Sequence, residues 1–241
     1  MQFLIIKRPY VLKTIRKVTP LVSSFVFKAQ DNTAIDFVPG MFAMLEYRDH
    51  ATGESISRAF SIANPPPSNE LEFLISLIHG RFTSKLDTAK AGDVYYVSAP
   101  YGQFKFDIKS GSKFLFLAGG TGIAPFLSML RMIDKNNIGI DCRMLYSVRY
   151  PEEIINKDEL EEMQQRMGVK TVVTVTRAQE GGEWSGEKGH ADSAMILRHV
   201  SDVRERSSYI CGPPAFVKAL KDALVSLGVD EKSIHAEMWG E

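Results

Sequence analysis

The stretch Phe114-Leu-Phe-Leu-Ala118-Gly-Gly-Thr-Gly-Ile-Ala-Pro125, running directly into Phe126-Leu-Ser-Met-Leu-Arg-Met-Ile133, decides how the chain is read. Its apolar first part predicts a fully buried parallel strand. Gly119, Gly120 and Gly122 break that strand, and helical spacing resumes after them. A tight turn from buried strand to helix aims the free N–H groups of the first helical turn at one spot. The positive end of the helix dipole lies there too, so the place suits a pyrophosphate. Glycines there let a phosphate approach the backbone. The same pattern also serves an ordinary strand-to-helix turn that needs glycine only for geometry. Pro125 departs from the usual G-x-G-x-x-G spacing, but its missing N–H has no intrahelical partner in the first turn.

Outward from this loop the chain has two rhythms. Up to about residue 108 it runs in short stretches rich in β-branched and aromatic residues: Val22–Phe27, Met41–Tyr47, Leu71–Ile78 and Val94–Val97. Turn signals at Asp31-Asn32, Pro39-Gly40, Thr52-Gly53, Pro65-Pro-Pro67 and Ala91-Gly-Asp93 separate them, which predicts an antiparallel barrel or sandwich. A short helix is expected to start near Thr83 and Ser84. Met1–Pro9 is apolar over too short a stretch for a secretory signal and reads as a first strand.

From Lys113 onward strands alternate with helices. Strands are expected at Phe114–Ala118, Cys142–Val148, Lys170–Thr176 and Ser208–Cys211, with helices at Ala124–Asp134, Pro151–Met167, Asp192–His199 and Pro213–Leu227. This alternation predicts a parallel sheet with right-handed crossovers. Ile108–Ser112 is the natural boundary. The fold class is therefore a β-barrel over 1–108 followed by an α/β domain over 113–241, without internal repeats.

Composition narrows the functions. Lys plus Arg, 29, equals Asp plus Glu, 29, so no net field favours nucleic acid or an anionic membrane. No apolar run approaches the roughly 20 residues of a membrane span. The two cysteines, Cys142 and Cys211, are too few for an all-cysteine iron–sulfur cluster or structural zinc site. One is expected to open a strand and the other to close one, which places them at opposite edges of the sheet as free thiols in a cytoplasmic protein. The five histidines lack metal-ligand spacing, and there is no G-x-S-x-G elbow for a hydrolase. No metal site is expected.

Several ordered motifs carry a resemblance that covers nearly the whole chain. Arg58-Ala-Phe-Ser61-Ile62, Gly80-Arg-Phe-Thr83-Ser84, Gly119-Gly-Thr121-Gly122 and Tyr209-Ile-Cys211-Gly212-Pro213-Pro214 occur in the order and spacing of the ferredoxin–NADP reductase superfamily, and the chain resembles that family. The resemblance implies an N-terminal barrel binding FAD, expected ahead of FMN, and a C-terminal domain binding NADPH or NADH. Arg58 would pair with the flavin phosphate through its forked, permanently charged guanidinium. Phe60 would pack on the flavin ring, without the hydroxyl of the family's usual tyrosine, and Ser61 would lie near flavin N5. The alternative is a plain barrel strand with Phe60 in the core and Arg58 in solvent. Thr83 would bond the flavin phosphate beside Gly80 and Ser84, or simply cap its helix. Gly92-Asp93 and Pro100–Phe104 would close the barrel.

In the second half the resemblance assigns the pyrophosphate to Gly119–Gly122 and places Cys211, Gly212 and Pro213 beside the nicotinamide. Cys211 is equally a common small buried residue. Near the carboxyl end, Glu237 would lie near N5, and Trp239 would cover the flavin or the adenine, or staple the last strand. Thr176-Arg177 and Lys188 match the site of an adenosine 2′-phosphate, although Glu180, Glu183 and Glu187 dilute the local charge. NADPH is expected narrowly ahead of NADH.

The implied reaction is hydride transfer from NAD(P)H to flavin N5, with Ser61, Cys211 and Glu237 as catalytic residues. The fused [2Fe-2S] module of many relatives has no ligands here, so electrons would pass to a separate acceptor, such as a ferredoxin-type protein or a small molecule. Three other readings stay open: a reductase of free flavin, an electron-transfer subunit with little activity alone, and a ligand sensor on the same fold.

Overall fold

The structure is a computed structural model and describes residues 3–49, 52–78, 80–178 and 183–239. Its elements in chain order are β1 (Ile6–Lys17), β2 (Val22–Ala29), β3 (Phe42–Arg48), β4 (Ser55–Ser61), β5 (Glu70–Ser76), α1 (Thr83–Asp87), β6 (Val94–Tyr101), β7 (Lys113–Gly119), α2 (Ala124–Lys135), β8 (Asp141–Val148), α3 (Lys157–Met167), β9 (Lys170–Val175), β10 (Glu187–Lys188), α4 (Ser193–His199), β11 (Ser207–Gly212), α5 (Pro214–Ser226) and β12 (Ile234–Met238). The chain divides into two compact units: Met1–Phe106 with Ala124–Lys135, and Asp107–Ile123 with Asn136–Glu241.

In the first unit six antiparallel strands lie in the order β4-β3-β6-β1-β2-β5 and curl into a half-barrel. Alternation along the strands sends Tyr10, Leu12, Phe25, Phe27, Leu71, Phe73, Tyr95 and Val97 into one core. Phe27 meets Tyr95 edge-on with ring centroids 5.2 Å apart. The two edge strands approach just past β4, where the Ala63 N–H donates to the Glu72 carbonyl at 2.9 Å.

The first strand starts later than expected, at Ile6, and continues to Lys17, leaving Leu4 and Ile5 exposed. Pro9 is tolerated inside it because pairing with β2 begins only at Tyr10, so the strand is still an edge there. Helix α2 groups with this unit through polar clasps. Ser128 Oγ donates to the Asn64 carbonyl at 2.8 Å, and Arg131 Nη1 donates to the Ala63 carbonyl at 2.9 Å and to Glu72 at 2.6 Å.

In the second unit six parallel strands run in the order β10-β9-β8-β7-β11-β12. The central strand β7 is buried from Phe114 to Gly119, as its unbroken apolar run requires. Cys142 and Cys211 are both free and buried. They lie at opposite ends of interior strands rather than at opposite edges, because β8 and β11 both flank β7.

The single helix expected over Pro151–Met167 is split. A 3-10 turn at Pro151–Glu153 is followed by buried Ile154 and Ile155, then by Asn156 at φ +50°, and α3 begins only at Lys157. Turning two isoleucines into the core needs this left-handed residue, a conformation that asparagine accepts more readily than most. At the amino-terminal ends of β7 and β8, Arg206 is fully buried. It donates to Asp141 and Asp202, at 2.8 Å each, and to the carbonyls of Phe114 and Asp141.

Candidate active site

The glycine loop is built at the carboxyl end of β7. Gly119 closes the strand, Gly120–Ile123 forms one 3-10 turn, and α2 follows from Ala124. Gly120 sits at φ +55°, a conformation in which a side chain is strained. Gly122 is required for a different reason. A Cβ there would collide with the carbonyl oxygen of Cys211 and lie 2.6 Å from its carbon. The loop therefore rests backbone-to-backbone on the end of β11, and two motifs far apart in sequence form one cradle. Thr121 is half-buried beside it.

Strand register adds the remaining groups. Cys211 pairs with Ala118 on one side and with Glu237 on the other, so thiol and carboxyl face the same way from neighbouring strands. Burial, with the Glu237 carboxyl beside it, pushes the Cys211 thiol up. Burial also raises the half-buried Glu237 carboxyl above the usual carboxylate range. Both effects favour protonated, neutral groups. Gly212 and Pro213 lead from β11 into α5.

Trp239 donates its N–H to the Gly212 carbonyl at 3.2 Å, which staples the end of β12. Its ring remains partly exposed, with Cζ2 3.9 Å from where a Gly120 Cβ would stand. The backbone thus staples the last strand, and the ring flanks the glycine loop.

Two contacts here were not anticipated from sequence. The ring of Phe216 presses against both Gly119 and Gly212. One layer below Cys211, His235 stacks on Tyr209 at 4.5 Å, and the Tyr209 hydroxyl accepts the Asp107 N–H at 3.2 Å. The only signal for Phe216 was its place two residues after Pro214; His235 gave none.

Thr176 and Arg177 extend the pairing of β9 with β8 through N–H bonds to the carbonyls of Val148 and Arg149, both 2.9 Å. Arg177 is exposed, with its guanidinium 5.9 Å from the Tyr150 ring centroid. Lys188 is exposed on β10 beside Val175. Glu187 dilutes their charge less than the sequence implied. Arg198 and His199 bond its carboxylate at 2.7 Å and hold it below its ordinary range. Glu183 is exposed, and Glu180 lies outside the described residues.

In the first unit, edge strand β4 pairs Arg58 with Leu45, Phe60 with Ala43 and Ser61 with Phe42. Arg58 is exposed, and its guanidinium donates to the adjacent Ser57 carbonyl at 2.9 Å. Phe60 is half-buried against Phe73 and Phe82, with centroids 6.2 and 5.8 Å away, so its ring leans into the barrel rim. Ile62 belongs to the core: it is fully buried, and its N–H donates to the Met41 carbonyl.

Thr83 is not the helix cap. The cap position is Phe82, with no side-chain bond, because the Thr83 hydroxyl is committed to the preceding loop. It donates to the Ile78 carbonyl at 2.6 Å and accepts the Gly80 N–H at 2.9 Å. Ser84 donates its own N–H to the Gly80 carbonyl at 2.9 Å.

A half-barrel with an exposed arginine on its edge strand and, in the other unit, a parallel sheet whose glycine loop is cradled at the strand ends define a two-part flavin and nicotinamide-dinucleotide oxidoreductase scaffold. The family model for an oxidoreductase FAD-binding domain matches residues 9–106, and that for an oxidoreductase NAD-binding domain matches residues 116–222. The chain belongs to the ferredoxin–NADP reductase superfamily.

It is 33% identical over 225 residues to the glycine betaine monooxygenase reductase subunit of Chromohalobacter salexigens, covering 91% of this chain and 60% of that protein. Ferredoxin–NADP reductase B of Sorangium cellulosum is 29% identical over 236 residues, 95% of this chain and 96% of that one. The flavohem-like FAD/NAD-binding domain of nitric oxide dioxygenase from Vibrio cholerae superposes with a TM-score of 0.87 at 21% identity, covering 97% and 99% of the two chains, and supports the fold. The chain spans about 60% of the length of the glycine betaine monooxygenase reductase subunits it matches. Among the described residues, no helix is long and apolar enough to cross a membrane.

Proposed function

We propose that the chain is an NAD(P)H-dependent flavoprotein reductase that passes electrons to a separate acceptor, such as a ferredoxin-type protein or an oxygenase component. The observation that carries this reading is the seating of Gly122 on the Cys211 carbonyl, which makes a side-chain-free cradle from two distant motifs. Bound FAD and nicotinamide dinucleotide supply the hydride chemistry, and the protein supplies orientation and exclusion of water.

In this reading the glycine loop offers backbone N–H groups to the pyrophosphate, and Thr176, Arg177 and Lys188 face a 2′-phosphate, favouring NADPH over NADH. Cys211 stays a neutral thiol and bounds the nicotinamide pocket without acting as a nucleophile. Glu237 bounds the same face. Arg58 pairs with the flavin phosphate, Ser61 orients the reactive edge of the flavin, and Trp239 shields the loop from water. Residues 1–108 serve as the flavin domain and 113–241 as the dinucleotide domain. The free, buried thiols support a cytoplasmic setting. Relatives described as reductase subunits of monooxygenases support a protein acceptor.

A second reading, reduction of loosely held flavin, is favoured by two observations. Phe60 has no hydroxyl and rests on Phe73 and Phe82, and the single Thr83 proton is already donated to Ile78. An anaerobic absorbance titration of the purified protein with NADPH, then NADH, tests both. A copurifying flavin band that bleaches supports the first reading. A colourless protein that oxidises NADPH only when flavin is added supports the second. A flavin band unmoved by either donor refutes the hydride chemistry.

A further inference from the structure

We propose that Phe216 is the positioning residue of the dinucleotide cradle, setting the spacing between the glycine loop and the strand that carries Cys211. This deepens the reading above and rests on it. Phe216 is the third residue of α5, and it packs half-buried against the core beneath α4 and α5. Its ring lies where two side chains are missing. A Cβ on Gly212 would stand 2.7 Å from Phe216 Cδ1, and one on Gly119 would stand 3.0 Å from Cδ1 and 3.2 Å from Cε1. The missing Gly212 Cβ would also lie 3.3 Å from the Gly119 Cα. The ring and the two strand ends therefore form one three-body contact.

The neighbouring contact differs in kind. The three atoms nearest a Gly122 Cβ are all main chain, the Cys211 carbonyl and the Gly212 nitrogen. Backbone against backbone has no rotamer to adjust, whereas Phe216 is a side chain docked through α5. Of the contacts that fix this cradle, the ring is the one whose size can be changed without breaking the main chain. Having no polar atom, it acts on the dinucleotide only by setting where Gly119, Gly212 and hence Cys211 stand.

The test is a double-mutant cycle on the flavin-loaded chain, read by NADP+ calorimetry and by thermal melting. Gly212→Ala is expected to weaken NADP+ binding about tenfold or more, and adding Phe216→Ala is expected to return it to within about threefold of wild type, a non-additive pair. Gly122→Ala, whose Cβ meets backbone, is expected to gain nothing from Phe216→Ala. Phe216→Leu is the conservative variant in case the alanine fails to fold. It should keep the melting temperature within a few degrees yet weaken NADP+ about threefold or more.

Additive losses in the Gly212/Phe216 pair, equal rescue of Gly122→Ala, or unchanged NADP+ affinity in a folded Phe216→Leu would each overturn the proposal while leaving the reductase reading intact. A wild-type chain that binds neither NADP+ nor NAD+ would overturn both.

Discussion

Replacing Arg206 by methionine should cost stability without touching the cradle, and the structure sets the size of the loss. The guanidinium is fully buried and donates from Nε to Asp202 at 2.8 Å, from Nη1 to the Phe114 and Asp141 carbonyls at 3.3 and 3.1 Å, and from Nη2 to Asp141 and Asp202 at 2.8 Å each. Breaking a buried charge cluster by removing one partner costs roughly 3–5 kcal/mol. The lower end applies here, because the Asp141 and Asp202 side chains keep 42% and 28% of their exposure and can be hydrated. Lys113 also remains to pair with Asp202 at 3.2 Å. For about 3 kcal/mol in a chain of this size, the melting temperature should fall by about 6–12 °C.

The pH dependence identifies the cause. Hydrogen bonding from Arg206 holds the Asp202 carboxyl at about 2, below its reference value of 3.8. A lowered carboxyl contributes stability above its unfolded value and loses it as pH falls toward the folded one. The gap between wild type and Arg206→Met should therefore be full at pH 7 and narrow as pH drops below about 4. Calorimetric melts from pH 7 down to acid measure it, and NADP+ affinity at pH 7 should not change, since Arg206 sits at the opposite ends of the strands from the loop. A fall of less than about 2 °C, or a gap independent of pH, would refute this account of the cluster.

Ser61→Ala should slow flavin reduction by about tenfold or more in stopped-flow single turnovers while the protein keeps its flavin; an unchanged rate removes Ser61 from the chemistry. Arg177→Ala and Lys188→Ala should each lower affinity for NADP+ about five- to tenfold and leave NAD+ nearly unaffected, the loss of one charge-assisted contact to a phosphate. Equal losses for both dinucleotides would place these residues elsewhere than the 2′-phosphate. Glu237→Gln should leave stability unchanged at pH 4 and raise it at pH 8. Burial disfavours only the ionised carboxyl, so the wild-type chain loses stability as pH rises through the raised value and the glutamine variant does not. A variant less stable than wild type at pH 8 contradicts that assignment.

The parts of this architecture that were legible in the sequence are those whose cause is local. Phe114–Ala118 announces a buried strand because every residue in it is apolar. Asn156 hides a break because a left-handed asparagine between two helical segments leaves the apolar period looking continuous, and only the burial of Ile154 and Ile155 shows that the chain must turn. Arg206 carries no local signal of burial: Asp202 stands four residues before it, but Asp141 and the Phe114 carbonyl come from strands far along the chain. β12 escaped a strand assignment because His235 and Glu237 interrupt its apolar character, although both belong on the face that Cys211 shares.

Thr83 marks the limit of motif reading in the first unit. The sequence fits a phosphate ligand and a helix cap equally well, and the structure commits the hydroxyl to neither, bonding it instead across the loop to Ile78 and Gly80. A phosphate that used this hydroxyl as a donor would have to displace the Ile78 carbonyl. The glycines of the second unit carry no such competition. Gly119, Gly122 and Gly212 stand where Phe216 and the Cys211 backbone leave no room for a side chain. What packing alone leaves unaccounted for is Gly120, at φ +55° with only the Trp239 ring near it. Gly120 is required by its left-handed backbone instead, and the partly exposed Trp239 ring flanks that turn next to the backbone cradle.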